Sequence, residues 1–236
     1  MKRYLSLIVL IAFFAFGAAY IYGGPGTIVS KETVSTSVLT QMDQPVFLSL
    51  KEMTDNSDLV VLGSYTGKYV EYENDLGLDE KHIGIARRYE FVIDTVLSGD
   101  PVYSDSSTIT IVKPVSYPFD YNTKDEGSYV IQIPASLQAE PDVNSRYILF
   151  VEYVPDAEFY RSIGEPWEIE ITDDGLLRSG SEIFVSDSEA DPKVVTLETT
   201  NRIYEINVKP HEGLYDDFIS GMSLEDALAE IKEQEY

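Results

Sequence analysis

The stretch NSDLVVLGSY, Asn56–Tyr65, decides the fold. It contains the unbroken apolar run Leu59–Gly63, which is typical of a β-strand buried on both faces. Just before it, Ser49–Glu52 has the form of a capping box, in which the serine accepts from a free backbone N–H and the glutamate reaches back. The sequence therefore predicts a short helix that begins at Ser49, ends near Asn56 and leads directly into a buried strand.

The chain downstream predicts further strands. Residues 88–97 alternate between apolar and charged side chains, and SGDP at 98–101 ends that strand with turn-forming residues. Residues 167–171 also alternate and meet Asp174-Gly175, a hairpin signal. The polar, glycine-containing residues 65–83 predict an exposed loop. The remaining predicted strands are 107–113, 129–133, 146–154 (apolar on both faces and central), 182–185, 194–197 and 202–208.

The C-terminus predicts a second helix. Ser223–Asp226 is another capping-box form, and Leu224, Ala227, Leu228 and Ile231 follow at helical spacing. This apolar stripe predicts a helix docked on its own domain. Several short strands with one helix at each end predict a mainly β fold, a small barrel or sandwich.

Three of these segments resemble the netrin-like, or tissue-inhibitor-of-metalloproteinase-like, domain. Asn56–Tyr65 resembles its first strand after a short helix, Tyr89–Asp100 resembles its second, and Arg146–Val151 is similar to a later central strand. The same pattern resembles uncharacterised exported proteins of Gram-positive bacteria. The resemblance covers about Ser49 to Val154 and implies an OB-type β-barrel, here with extra C-terminal hairpin strands.

One departure limits what this resemblance implies. The animal inhibitors chelate a protease zinc through a free N-terminal cysteine, and this chain has no cysteine. The inhibitory residues therefore have no counterpart, and only the fold is carried over.

The N-terminus carries an apolar segment, Tyr4–Tyr22, which follows Lys2 and Arg3 and contains no charge. Nineteen residues at about 1.5 Å rise roughly span a bilayer core. Two interpretations stay open, an uncleaved membrane anchor or a signal peptide cleaved after Ala19. Both place the C-terminal part outside the cytoplasm, at the membrane or secreted. The predicted organisation is an anchor or signal over 1–23, a flexible Gly/Ser/Thr-rich tether over 24–46, and an extracytoplasmic β-domain over 47–236.

The chain is strongly acidic. It has 17 basic and 41 acidic residues in 236, a formal net charge of −24, and without residues 1–23 the net charge becomes −26. Such a charge argues against binding nucleic acid and favours a well-solvated surface or cationic partners.

The sequence shows no pattern of catalytic residues. The two histidines, His82 and His211, stand apart, and no nucleophile elbow or phosphate-binding loop is present. We therefore expect no cofactor and no enzyme, although acidic residues are numerous enough to supply a hydrolase carboxylate pair.

One acidic loop is a weak calcium candidate. Asp187, Glu189, Asp191 and Glu198 stand at positions 1, 3, 5 and 12 of a calcium-loop pattern. Pro192 occupies the position where the sharp turn requires glycine, and a solvated acidic turn is the competing interpretation.

Four aromatic residues are candidates for ligand contact. Tyr65, Tyr69 and Tyr72 fall in the predicted loop after the first strand, where OB-type barrels border their binding surface. Trp167, the only tryptophan, is a stacking candidate or, because it alternates with Ile169 and Ile171, a core residue. The resulting hypothesis is a membrane-anchored or secreted binding module for an extracytoplasmic protein or polymer. The alternatives are an inhibitor of an extracellular peptidase and an extracytoplasmic hydrolase.

Overall fold

A computed structural model describes residues 31–40, 45–75, 82–102, 107–135, 140–181, 193–210 and 215–232. The described chain is mainly β, as predicted, with two α-helices and a short 3-10 turn at Pro155–Ala157. The helices are α1, Leu50–Asp55, and α2, Leu224–Lys232. The strands are β1 Glu32–Thr40, β2 Leu59–Asp75, β3 Ile83–Gly99, β4 Thr108–Thr123, β5 Gly127–Pro134, β6 Arg146–Val154, β7 Phe159–Ser162, β8 Glu168–Ile171, β9 Leu177–Ser179, β10 Lys193–Glu198 and β11 Arg202–Pro210.

The predicted membrane segment, Tyr4–Tyr22, lies outside the described residues. Within the described ranges, none of the helices has the length and apolar character needed to cross a bilayer.

Five strands pair in a closed ring. β2 pairs antiparallel with both β3 and β6, and β3 pairs antiparallel with β4. β7 completes the ring, because it lies antiparallel to β6 and meets β4 in parallel at Ile111 and Tyr160. β8 and β9 extend the sheet from β6 as the hairpin predicted at Asp174-Gly175. The ring encloses the main apolar core, with Phe91, Phe150 and Ile148 fully buried.

The two long strands β2 and β3 approach each other most closely at Gly63. A Cβ atom on this residue would lie 2.0 Å from the carbonyl oxygen of Val92 and 2.7 Å from the Phe91 ring. Only glycine fits such a close approach of two backbones. The register between the strands shifts immediately beside it, between Leu62 and Gly63, as expected where a strand bends.

The predicted first helix is confirmed. The Ser49 hydroxyl accepts from the Glu52 backbone N–H at 3.1 Å, and the Glu52 carboxylate accepts from the Leu48 N–H at 3.0 Å. The first contact satisfies a backbone donor that the first turn leaves without an intrahelical partner, and the second holds the residue before the N-cap against the helix. Leu50 and Met53 point into the main core and are fully buried.

The second helix docks on the β-domain, as predicted. Ala227 and Ile231 are fully buried, and Leu224 and Leu228 pack against the same core. Ser223 caps the helix by accepting from the Asp226 N–H at 3.1 Å.

Leu228→Asp should therefore lower the thermal unfolding midpoint clearly. Leu228 is partly buried, so the substitution loses part of the about 1.5–3 kcal/mol that full burial of a leucine contributes, and the new carboxylate adds a desolvation cost. Ala229→Asp is the matched control, because residue 229 is exposed on the opposite face of α2. Melting curves of the two variants should separate. Equal midpoints would mean that the helix does not depend on this docking.

The structure contains a second sheet, β1-β11-β10, whose first strand lies within the predicted tether. β1 pairs in parallel with β11 over Glu32–Thr40, so the prediction of a flexible segment over 24–46 is wrong for these residues. Val34 and Val38 alternate toward a second apolar core that β5 and β11 supply, with Ile206 at its centre. The Ser/Thr residues between them led to the linker interpretation, although threonine, being β-branched, is favoured in strands.

The prediction of a loop over residues 65–83 is also wrong for residues 65–75, which are part of a strand. β2 continues to Asp75 and pairs with β3 as far as Ile83, with residues 76–81 outside the described ranges. The polar side chains here belong to a long hairpin whose outer face is solvated. β4 is likewise longer than the predicted 107–113, and the strand predicted at 182–185 lies outside the described residues.

Candidate functional site

Tyr65 belongs to the core and not to a binding loop. Its side chain is 2% exposed, and its ring makes edge-to-face contacts with Phe91, Tyr147 and Tyr89 at centroid distances of 5.0, 5.3 and 5.6 Å. Burial, followed by the nearby charge of Glu168, raises the pKa of its hydroxyl well above the ordinary value. The expectation that Tyr65 contacts a ligand from an exposed loop is therefore corrected.

A buried ion pair lies beside this aromatic cluster. The Lys113 ammonium donates to the Glu168 carboxylate at 2.6 Å, and both side chains are almost fully buried. The ammonium also lies 5.6 Å from the Trp167 ring centroid and 5.7 Å from that of Tyr65, within cation–π range. Because a buried charge is costly unless it is paired, the side chains of Lys113 and Glu168 must stay in contact with each other.

A second polar group lies on the same inner face of β3. The Tyr89 hydroxyl donates to the Glu140 carboxylate at 2.7 Å, and Arg87 bridges Glu140 and Glu71, with its Nε 3.0 Å from Glu71. Burial is the main cause that raises the pKa of Tyr89 to about 12, and Glu140 adds to it against the opposing effect of Arg87.

A recessed cavity of about 140 Å³ opens next to these groups. Its wall combines carboxylates with aromatic rings, and it is lined by Glu140, Asp142, Tyr147, Glu165, Trp167, Glu168, Glu170, Arg178, Gly180 and Ser181. Trp167, the predicted stacking or core residue, is fully buried and forms part of this wall. Its indole N–H and the Ser181 hydroxyl are buried without a hydrogen-bond partner among the described residues.

A broader, shallower groove of about 500 Å³ lies beside β3 and β4. β3 contributes residues 88–90, β4 contributes 108–110, and the segment between β6 and β7 contributes 157–159. Two apolar side chains on β2 border it and are strongly exposed, Tyr69 at 50% and Val70 at 66%. Exposed apolar area next to charged side chains is a common property of binding surfaces.

Arg88 is the distinctive side chain of this groove. Its guanidinium lies 4.8 Å from the Tyr72 ring centroid and 5.6 Å from that of Phe159. The neighbouring cation, Lys68, is paired with Glu90 at 3.1 Å, whereas Arg88 has no carboxylate partner among the described residues. The two rings hold a charge in place without neutralising it, which suits recognition of an acidic group.

Of the predicted tyrosines, one lines the groove and another contacts a residue that lines it. Tyr69 borders it and stacks with Arg87 at 4.5 Å, while Tyr72 contacts Arg88. They lie on β2 instead of in a loop. The sequence interpretation missed Arg88 and Lys113. Lys113 does carry a signal, because it continues the alternation of the inward-facing Ile109 and Ile111.

Most of the calcium candidate lies outside the described structure, so it stays a prediction. Asp187, Glu189 and Asp191 lie outside the described residues. Glu198 ends β10, where Lys31 donates to it at 2.8 Å and holds the pKa of its carboxyl below the ordinary value. Within the described ranges, no three His, Cys, Asp or Glu side chains come together as a metal site.

Of the two histidines, His82 lies 3.2 Å from the Asp120 carboxylate and His211 is outside the described residues.

In comparisons with protein-family models, curated proteins and solved structures, the chain matches none.

Proposed function

We propose that this chain is a non-enzymatic binding module that acts outside the cytoplasm, anchored by Tyr4–Tyr22 or secreted. The domain is an OB-type barrel of the netrin-like kind, and its groove recognises a segment of a protein or polymer partner that carries an acidic group. The single observation that carries the proposal is Arg88, a guanidinium held by two aromatic rings without a carboxylate partner among the described residues.

The order of strand pairing supports an OB-type barrel. The ring runs β2-β3-β4-β7-β6. Counted in chain order as β2, β3, β4, β6 and β7, the first ring strand pairs with the fourth, β6, and the fifth, β7, lies parallel to the third, β4. OB-type barrels bind ligands on their second and third strands and on the loop between the fourth and fifth. Those elements correspond here to β3, β4 and residues 155–158, and all three contribute to the groove.

The charge of the chain limits the kind of partner. A single unpaired guanidinium suits one carboxylate or a similar isolated acidic group. A polyanion would be repelled by a protein with net charge −24, so nucleic acid is a poor partner. The exposed Tyr69 and Val70 add apolar contact area beside the charged contact.

Arg88→Ala should reduce capture of the partner by about tenfold or more, because charge-assisted hydrogen bonds contribute about 1.5–3 kcal/mol. The measurement is quantitative pull-down from the native cell envelope with the full-length chain as bait. Arg161→Ala is the matched control, since Arg161 is an exposed arginine of β7 that pairs with Glu152 outside the groove.

The supporting result is a bound species that wild type and Arg161→Ala retain and Arg88→Ala loses. Equal retention by all three proteins would overturn the assignment of the groove. Turnover of a panel of esters, peptides or glycosides by the purified chain would overturn the non-enzymatic assignment.

The cavity gives one observation in favour of the hydrolase alternative, because Glu165 and Glu168 both line it. Hydrolysis of a glycosidic bond requires one carboxyl that stays protonated as a general acid. Glu168 is instead paired with Lys113, and Glu170 accepts from the Arg178 Nε at 3.0 Å. Both carboxylates are therefore already engaged in ion pairs, which favours the binding function.

A further inference from the structure

The recessed cavity beside β8 and β9 has the volume of a small-molecule site. Its 140 Å³ is close to the roughly 150 Å³ of engineered cavities that hold benzene. At about 30 Å³ for each water molecule, the same space corresponds to four or five waters. A ligand of five to twelve non-hydrogen atoms would therefore displace the water that otherwise fills this space.

Two groups in its wall require a hydrogen-bond partner. The Trp167 indole belongs to a side chain with 0% exposure, and Ser181 is 3% exposed. Neither the indole N–H nor the serine hydroxyl has a partner among the described residues. An indole N–H can only donate, so the missing partner of Trp167 must be an acceptor. Metal cations and ammonium groups cannot fill that role.

The charges of the wall exclude an anionic acceptor. Four glutamates line the cavity, at positions 140, 165, 168 and 170, together with Asp142. Against them stand the arginine of the wall, Arg178, and the ion-pair partners Arg87 and Lys113. Negative charge remains in excess, and it repels carboxylates and phosphates.

A hydroxyl group meets both requirements. Its oxygen accepts from the Trp167 N–H and from the Ser181 hydroxyl, and its proton is donated to a neighbouring carboxylate. We propose that this cavity binds a small neutral polyhydroxylated molecule, a polyol or one monosaccharide unit of a glycan. The site is separate from the groove that contains Arg88, and it does not depend on the function proposed for that groove.

Trp167 provides the test, because it is the only tryptophan of the chain and lines the cavity. The full-length protein is titrated with glycerol, xylose and glucose while tryptophan emission is recorded. The detergent carries no sugar headgroup and the buffer contains no polyol. We expect a saturable change in emission with at least one of these three probes.

Ser181→Ala should weaken that response about five- to tenfold, the effect of losing one hydrogen bond to the ligand. Its thermal midpoint should not fall, because the Ser181 hydroxyl has no protein partner to lose among the described residues. Ser128→Ala, at an exposed serine on β5, is the matched control and should respond like wild type. Arg88→Ala should also respond like wild type, which separates this site from the groove.

Two results would overturn the proposal. Emission that does not saturate with any of the three probes would mean that the cavity holds water alone. A saturable response that Ser181→Ala leaves unchanged, or that Arg88→Ala abolishes, would place the binding elsewhere on the protein.

Discussion

Lys113→Met should destabilise the protein by about 3–5 kcal/mol, because it leaves the Glu168 carboxylate buried without its partner. Glu168 is 8% exposed, and its carboxylate accepts from the Lys113 ammonium at 2.6 Å. The same substitution removes the cation from the Tyr65 and Trp167 rings. Chemical denaturation near neutral pH measures this change. The denaturant midpoint should fall, while the slope of the free energy against denaturant should stay the same because the surface exposed on unfolding is unchanged.

The double variant Lys113→Met, Glu168→Leu is the decisive control. Replacing both members of a buried ion pair by apolar residues of similar volume is often neutral or stabilising by about 1–4 kcal/mol. We therefore expect the double variant to recover most of the stability that Lys113→Met loses. A double variant as unstable as the single one would mean that Lys113 acts through other contacts.

The pair also bears on function. It joins β4 to β8, and Glu168 lines the proposed polyol cavity. An apolar pair of the same volume would keep the fold and leave the cavity wall less polar. Loss of the Trp167 response to polyols in a stable double variant would link the ion pair to binding and not to stability alone.

Local sequence signals predicted the elements that depend on neighbouring residues. The capping boxes at Ser49 and Ser223, the apolar β6 and the hairpin at Asp174-Gly175 each use contacts within a few positions. Their physical causes are therefore visible in the sequence.

The wrong tether prediction and the missed cationic residues involve partners on strands that are distant in sequence. Nothing near Glu32–Thr40 shows that β11, about 170 residues later, will pair with it. Likewise, Lys113 meets Glu168 only because β4 and β8 both contribute to the interior of the ring. Arg88 resembles any outward-facing charge on an alternating strand until Phe159 is brought beside it from β7. The candidate groove and cavity are both lined by residues from several strands, and the sequence alone does not show which strands come together.

The second large effect concerns alkaline pH, at which the protein should lose stability steeply between about pH 10 and about pH 12. Burial is the main cause that raises the pKa of Tyr89, Tyr117 and Tyr147 to about 12, and it also raises the pKa of Tyr65 well above its ordinary value. In the unfolded chain a tyrosine has a pKa of about 10. Below that pH the tyrosines keep their phenolic protons in both the folded and the unfolded state, so they do not make the free energy of unfolding depend on pH.

Above about pH 10 the unfolded state releases protons that the folded state still holds, so the free energy of unfolding falls as pH rises. Each of the three tyrosines with a pKa near 12 contributes roughly 2 kcal/mol to this loss, which together is a large part of a typical stability of about 5–15 kcal/mol. Denaturation midpoints measured across this interval should fall, while tyrosinate absorbance of the native protein lags behind that of the unfolded chain. Tyr117→Phe removes one of the three groups, and its curve should fall less steeply than that of wild type. Parallel curves for the two proteins would show that Tyr117 ionises as readily in the folded state as in the unfolded one.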